Sequence, residues 1–319
     1  MAQRPDLMAP TPFEPSLEHL NHMPEFSNND IPRYLFRVHT PVTAVRTTTS
    51  YVIPPAAGTV DHEARLDIFR VPPERAGRLL WKHLKWIEGR SNLTSWTSSL
   101  LFALQYGLYR HRSPRDKSKL SEIHLLILDT REYPQGTFVK DLEIMRAITS
   151  TLGPEEELHD FLNFRENTKI RGRKYYFGEY LSQGDLALEG RCSQATMATL
   201  IDLGLFHVQP DLGDEGEWRK LADRVLALRD PFENPDSPLP PDKRTVREAI
   251  VIASVCFGDR FALPVAVMLL ALRPRRIKDV AIVKGLAAMF TREEIRDSLR
   301  DCKVDGSDSP TLYQNGCAA

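Results

Sequence analysis

Lys174-Tyr-Tyr-Phe-Gly-Glu-Tyr-Leu-Ser-Gln-Gly184 places one carboxylate inside a run of aromatic residues. The aromatic and apolar residues 175–181 are typical of a β-strand, and residues 182–184 have the composition of a turn. The carboxylate is Glu179, which follows Gly178. A charge beside aromatic rings is costly to bury unless a partner compensates it, so Glu179 is a candidate functional residue. The alternative is a glutamate on the solvent face of an alternating strand.

The composition of the 319-residue chain is that of an ordinary globular protein, with 42% hydrophobic and 27% charged residues. Its 42 basic and 43 acidic residues give a formal net charge of -1, which does not point to nucleic acid or an anionic membrane as a partner. No signal-peptide core is present at the amino end, and no uninterrupted apolar run reaches the ~20 residues that span a bilayer. We therefore expect an intracellular protein, cytoplasmic or nuclear, with no membrane and no metal partner.

The four cysteines are scattered and form no C-x-x-C pair, so we expect reduced thiols instead of a disulfide framework. They are Cys192, Cys256, Cys302 and Cys317.

Hydrophobic periodicity divides the chain into two domains with irregular ends. Residues 1–32 contain six prolines and no apolar period, which predicts an irregular tail. Residues 33–212 mix strand-like and helix-like patterns and predict an α+β domain. Residues 213–303 predict an all-α helical domain with a proline-rich linker at 230–243, and residues 304–319 predict a loose tail.

Two segments of the α+β domain place candidate residues on elements. Residues 34–39 alternate apolar and polar side chains and predict a first strand that carries Arg37 and His39 on one face. Residues 93–99 predict a short strand that runs into a helix capped by Thr97 or Ser98. Further predicted strands are 47–53, 122–129 and 205–208, and further predicted helices are 72–88, 140–151, 154–165, 193–203, 216–229, 245–257, 261–273, 275–289 and 291–301.

The sequence lacks the short motifs of several common enzyme classes. It contains no G-x-G-x-x-G, Walker loop, H-E-x-x-H, G-x-S-x-G or paired C-x-x-C. These absences disfavour Rossmann dinucleotide-binding enzymes, P-loop NTPases, common zinc sites and α/β-hydrolases. Three separated segments remain: Arg37 on the first strand, the hydroxyl-rich residues 94–99, and Glu179 on a late strand.

In this order, the three segments resemble the three motifs of the ADP-ribosyltransferase superfamily. They are similar to the class of the cholera toxin A subunit, with its arginine, its Ser-Thr-Ser run and its glutamate. The chain also resembles an uncharacterised fungal domain family. The resemblance covers roughly residues 33–210 and implies a split mixed β-core with flanking helices. The segments are Leu35-Phe-Arg-Val-His39, Leu93-Thr-Ser-Trp-Thr-Ser-Ser-Leu-Leu-Phe-Ala103 and Tyr176-Phe-Gly-Glu-Tyr-Leu181.

The resemblance implies that NAD is the substrate and assigns a role to each segment. Nicotinamide leaves as a neutral ring and needs no general acid, so one carboxylate, Glu179, is enough to stabilise an oxocarbenium-like ribose. Arg37 would hold the phosphates or the ribose through its planar set of donors. Ser95 and Thr97 would hydrogen-bond the backbone and the glutamate, and Tyr176 would offer a stacking face for nicotinamide.

Each of these residues also has an ordinary structural alternative. Arg37 can be a surface or ion-paired strand arginine, the hydroxyl-rich segment a helix cap, and Tyr176 a core or edge aromatic. Trp96 replaces the middle threonine of the family's hydroxyl run and could fill the nicotinamide slot. Phe177 stands where arginine-modifying members carry a second glutamate, two positions before Glu179. This departure argues against transfer to arginine and leaves NAD hydrolysis, transfer to another acceptor, or loss of activity.

Three functions therefore stay open. The first is an NAD-dependent mono-ADP-ribosyltransferase or NAD glycohydrolase, whose acceptor is a protein, a nucleic-acid base or water. The second is a catalytically inactive protein of the same fold that serves as a binding module. The third is an adaptor that acts through the helical residues 245–302.

Overall fold

A computed structural model describes residues 10–58, 66–87, 91–153, 157–166, 175–233, 242–274 and 279–301. These residues combine helices with short antiparallel strands, so the predicted α+β class is confirmed. The strands are β1 (Tyr34–His39), β2 (Arg46–Thr47), β3 (Tyr51–Ile53), β4 (Leu93–Thr97), β5 (His124–Asp129), β6 (Val139–Lys140), β7 (Glu179–Gln183), β8 (Leu186–Ala187) and β9 (Cys192–Thr196).

The helices range from single turns to four turns. They are α1 (Leu17–Leu20), α2 (Pro24–Ser27), α3 (Pro73–Leu84), α4 (Leu100–Arg112), α5 (Asp141–Thr149), α6 (Glu157–Glu166), α7 (Met197–Asp202), α8 (Leu205–Val208), α9 (Ala222–Glu233), α10 (Lys243–Phe257), α11 (Asp259–Leu270), α12 (Val280–Ala287) and α13 (Arg292–Asp301). Among the described residues, no helix is both long enough and apolar enough to cross a bilayer.

The chain divides into two compact units, each assembled from separated segments. Unit 1 comprises residues 1–31, 43–96 and 129–192, and unit 2 comprises residues 32–42, 97–128 and 193–319. The domains predicted from the sequence are continuous, whereas the segments of these units alternate along the chain. Three stretches of the predicted tails and linker lie outside the described residues: 1–9, 234–241 and 302–319.

Unit 1 contains the strands that lead to Glu179. Strands β6, β7 and β4 lie in this order, and Val139 of β6 is opposite Leu181 of β7 in an antiparallel pair. Strands β2, β3 and β8 form a separate antiparallel sheet, so the predicted strand 47–53 is a hairpin. Helices α3, α5 and α6 pack against one another and bury residues such as Leu80 and Ile148.

Residues 10–31 are not irregular throughout, which corrects the prediction of an irregular tail. They include helices α1 and α2, and Met23 is completely buried in the core of unit 1. The carboxylate of Glu143 accepts hydrogen bonds from the backbone N–H groups of Glu25 at 2.7 Å and Phe26 at 3.0 Å. The sequence shows no periodicity here because single residues, instead of a repeating apolar face, anchor the segment.

Strand β1 belongs to unit 2. It pairs antiparallel with the end of β4, where Phe36 lies opposite Thr97, and β5 and β9 follow on its other side. The bounds of β1 match the prediction, but all six of its residues are buried. Arg37 and His39 are buried as well, so the alternative of a surface arginine does not apply to Arg37.

The helical end of the chain agrees with its predicted periodicity from residue 243 onward, whereas α9 extends four residues into the predicted linker at 230–243. Helices α10, α11 and α13 lie in predicted helical segments, and α10 packs against α11. A capping box precedes α13, in which Thr291 N–H donates to Glu294 Oε2 at 2.7 Å and Glu294 N–H donates to Thr291 Oγ1 at 3.2 Å. Helix α12 begins after residues 275–278, which lie outside the described part of the chain.

Local sequence signals misassign one helix cap, one helix start and one element type. The cap of α4 is Ser99, whose Oγ accepts from Phe102 N–H at 3.0 Å, and neither Thr97 nor Ser98. The segment predicted as a helix from residue 193 begins as strand β9, and Thr196 caps α7. Residues 205–208 form a helix instead of a strand, because a four-residue apolar run fits either element.

Two of the four cysteines, Cys192 and Cys256, lie in the described residues, and no disulfide joins them to each other. Cys302 and Cys317 lie outside that part of the chain.

Candidate functional site

Glu179 is the first residue of strand β7, so the strand begins four residues later than predicted. The preceding Gly178 has a φ of 66°, a left-handed conformation that glycine adopts without steric cost. The predicted turn at 182–184 is also shifted, because β7 continues through Gln183 and the left-handed residue is Gly184. Two glycines therefore delimit a short strand with the carboxylate of Glu179 at its start.

Glu179 belongs to a carboxylate–arginine cluster that consists of Asp141, Arg165 and Glu179. Arg165 of α6 donates from Nη2 to Oε2 of Glu179 at 2.8 Å and from Nη1 to Oδ2 of Asp141 at the start of α5. The exposed fractions of the side chains are 12% for Arg165, 17% for Glu179 and 0% for Asp141. The guanidinium also lies over the ring of Phe161, 4.7 Å from its centroid. One cation is thus shared by two carboxylates from different elements.

Burial and neighbouring charges shift the protonation equilibria of this cluster. Burial raises the pKa of Asp141 to about 7, with Arg165 opposing the rise and Glu179 adding to it. For Arg165, burial disfavours the charged form, but Asp141 and Glu179 outweigh it and hold the pKa above its ordinary value. The Oδ1 atom of Asp141 is buried and has no hydrogen-bond partner among the described residues. Asp141 therefore gains or loses its proton near neutral pH.

Ser95 and Tyr176 also lie in unit 1. Ser95 is on β4, the neighbour of β7, and its Oγ is 2.8 Å from Nε2 of His83 on α3. Tyr176 is buried, and its hydroxyl donates to the backbone carbonyl of Glu179 at 3.4 Å. The ammonium of Lys140 lies 5.4 Å from the centroid of the Tyr176 ring. Three of the five predicted site residues are thus in one unit.

The other two predicted site residues, Arg37 and Thr97, lie in unit 2. Burial lowers the pKa of Arg37 to about 10, which Tyr106 opposes and Arg110 reinforces, so the guanidinium stays charged at neutral pH. Thr97 Oγ1 accepts a hydrogen bond from Ser99 N–H at 3.0 Å and shapes the turn into α4. The placement of these residues next to Glu179 stays a prediction.

Trp96, which departs from the family's hydroxyl run, is a core residue of unit 1. Its side chain is 2% exposed, and Nε1 donates to Oγ of Ser182 at 2.9 Å. Its ring meets Phe138 edge to face, with a centroid distance of 5.8 Å. The indole is therefore fixed by a hydrogen bond at one edge and by aromatic packing.

Sequence reasoning does not identify Asp141, Arg165 or His83 as site residues. Arg165 falls at the end of a predicted helix beside other basic residues, and Asp141 falls at the ordinary start of a helix. The signal available is weak, because an acidic first helical residue is common wherever a helix begins. Arg165 contacts Glu179, which is 14 residues away along the chain, and Asp141, which is 24 residues away.

The comparisons with known proteins assign no activity. Residues 30–187 match a family model described as a domain of unknown function, DUF7587, and this segment contains all five predicted site residues. No curated protein and no solved structure matches the chain. Within the described residues, no group of three or more His, Cys, Asp or Glu side chains could hold a metal ion.

Proposed function

We propose that the protein is an NAD-using enzyme of the ADP-ribosyltransferase type, either a mono-ADP-ribosyltransferase or an NAD glycohydrolase. The motif order Arg37, Ser95–Thr97 and Glu179 supports this proposal. The observation that carries it is the state of Glu179, which is ion-paired at 2.8 Å to Arg165 and keeps 17% of its side chain exposed. A fixed carboxylate that still reaches solvent is suited to stabilise positive charge on a bound substrate.

In the proposed reaction, the bond between C1′ of the nicotinamide ribose and the ring nitrogen breaks. Nicotinamide leaves with the bonding electron pair, and the carboxylate of Glu179 stabilises the positive charge that develops on the ribose. In hydrolysis, water adds to C1′ and releases a proton to solvent. In transfer, a nucleophilic atom of a protein or of a nucleic-acid base adds instead.

The proposed binding roles follow from the charge of Arg37 and from the hydroxyl and aromatic groups of the other three residues. Arg37 stays charged despite its burial, as a group that neutralises phosphates must. Ser95 and Thr97 supply short hydroxyl groups, and Tyr176 supplies an aromatic ring close to the backbone of Glu179. All four are proposed to hold NAD while Glu179 acts on the ribose.

The test is nicotinamide release from NAD by the wild-type chain, Glu179→Gln and Glu166→Gln. Glu166 is a matched control because it is also ion-paired to an arginine, Arg146, in a half-exposed position. Loss of the Glu179 charge is expected to reduce release by about 100-fold or more, since it removes charge stabilisation in the transition state. Glu166→Gln should release nicotinamide like the wild type. Equal release by the wild type and Glu179→Gln would refute the proposal for Glu179.

A catalytically inactive binding module is the second candidate, and two contacts favour it. Arg165 already neutralises part of the Glu179 charge, and Trp96 fills core space where the family pattern has a small threonine. This candidate predicts no nicotinamide release. If NAD also fails to raise the unfolding temperature, which any ligand of the folded state does, the module does not bind NAD either.

A further inference from the structure

We infer that Asp141 and Arg165 are positioning residues for Glu179: Asp141 shares the guanidinium of Arg165 and thereby keeps the charge of Glu179 from being fully neutralised. This inference rests on the proposed function of Glu179. It adds two residues that neither the motif resemblance nor the matched family model assigns.

The geometry of Arg165 allows simultaneous sharing. Its Nη1 and Nη2 atoms each contact a different carboxylate, Asp141 through the first and Glu179 through the second. The face of the guanidinium rests over Phe161, which fixes its plane. A planar set of donors can bind two carboxylates side by side in this way, whereas a lysine ammonium cannot reproduce the arrangement.

The charges of the cluster make this sharing depend on protonation. With both carboxylates ionised, the three groups sum to one negative charge, and with Asp141 protonated they sum to zero. Among the described residues, Lys140 of β6 also acts on Asp141, and the phenol of Tyr176 acts on Arg165. Lys140 is itself ion-paired to Glu25 at 2.9 Å, so Arg165 is the dominant cation.

Protonation of Asp141 would leave the charge of Arg165 to Glu179 alone. A carboxylate that is fully compensated by a guanidinium stabilises a nearby positive charge less, because the two fields cancel. That charge exists on the ribose only in the transition state. Protonation of Asp141 should therefore change kcat and leave KM unchanged. The direction follows: kcat should rise with pH as Asp141 loses its proton.

The test measures kcat and KM for nicotinamide release between about pH 5 and about pH 9 in the wild type, Asp141→Asn and Asp160→Asn. The asparagine of Asp141→Asn carries no charge and mimics the protonated acid. The kcat of this variant should therefore equal the low-pH limit of the wild type, about tenfold below the high-pH rate, with KM unchanged. Its kcat should also be flat through neutral pH. Asp160 is exposed on the same helix as Arg165, and its variant should follow the wild type.

Each outcome decides the inference. If the wild type releases nicotinamide and Asp141→Asn keeps the wild-type pH profile, the inference is wrong while the proposed function stands. If the wild type releases no nicotinamide, both the inference and the proposed function are wrong.

If Asp141→Asn does not fold, Arg165→Lys replaces it in the test. A lysine cannot hold both carboxylates, so that variant should lose the wild-type dependence of kcat on pH. A wild-type profile in Arg165→Lys would overturn the inference.

Discussion

Nη2 of Arg165 lies 2.8 Å from Oε2 of Glu179, which joins helix α6 to the first residue of strand β7. The same guanidinium contacts a completely buried aspartate, so its charge compensates two acids at once. The position of Glu179 therefore depends on helices α5 and α6 as well as on its own strand.

Arg165→Met should strongly destabilise unit 1. The change leaves Asp141 and Glu179 without their cation, and breaking a buried ion pair on one side typically costs about 3–5 kcal/mol. Arg146→Met is the matched control, since the half-exposed Arg146–Glu166 pair is expected to contribute about 0–1 kcal/mol. Urea unfolding of the full chain measures both losses. Similar losses in the two variants would show that the cluster contributes no more to the free energy of unfolding than the half-exposed ion pair.

His39 should make the protein sensitive to acid. Burial lowers the pKa of His39 to about 4. The hydrogen bond to Gln194 at 3.1 Å opposes this decrease. The nearby His124, whose ring stacks on His39 at 5.0 Å, and the charge of Arg37 lower the pKa further. Between about pH 6.5 and about pH 4, the unfolded chain then binds a proton that the folded chain does not. The stability from neutral His39 is therefore complete above about pH 6.5 and falls as the pH drops toward 4.

The check compares unfolding free energies of the wild type and His39→Gln across that pH window. The acid-dependent loss due to His39 should be at most about 3–4 kcal/mol and should be absent from the variant. His22→Gln, at an exposed histidine, should leave the wild-type pH dependence unchanged. A wild-type acid response in His39→Gln would contradict the prediction.

The hydrogen bond between Trp96 and Ser182 should stabilise the core of unit 1. Trp96→Phe removes the donor at 2.9 Å and leaves the buried Ser182 hydroxyl without it, at an expected cost of about 1–3 kcal/mol. Ser182→Ala removes the other partner. In a double-mutant cycle measured by denaturant unfolding, the two changes should be coupled by about 1 kcal/mol. Strict additivity would show that the bond contributes nothing.

Met23 should anchor the amino-terminal segment to unit 1. Met23→Ala leaves a cavity at a fully buried position and should cost about 2–5 kcal/mol. Leu17→Ala is the control, because this leucine of the same segment is 85% exposed and should cost less than about 0.5 kcal/mol. Limited proteolysis should cleave the Met23 variant faster within residues 10–31. Equal protection of both variants would mean that the segment does not depend on this side chain.

Periodic patterns predict the elements whose stability is local. The apolar spacing in α4 identifies Leu100, Leu101, Leu104 and Leu108, and all four are buried. The strand at 34–39 and the carboxy-terminal helices are found for the same reason. In each case, the side chains that pack together recur at the spacing of the element itself.

The candidate site depends on contacts that no local pattern encodes. Glu179 stands out from its aromatic surroundings, but its partners Asp141 and Arg165 are separated from each other by 24 positions. The true start of β7 is missed because the left-handed backbone of Gly178 ends the irregular segment where the side-chain pattern still favours a strand. Aromatic residues at 175–177 raise strand propensity without deciding where hydrogen-bonded pairing begins.

The buried methionine near the start of the chain has a consequence for expression. A shorter product initiated at that internal Met23 codon would lose residues 10–22, which precede the buried methionine in the described chain. It would also lack Phe13, which is buried in the same core. Because the loss of a buried aromatic side chain weakens the core, such a short product should be degraded faster than the 319-residue chain.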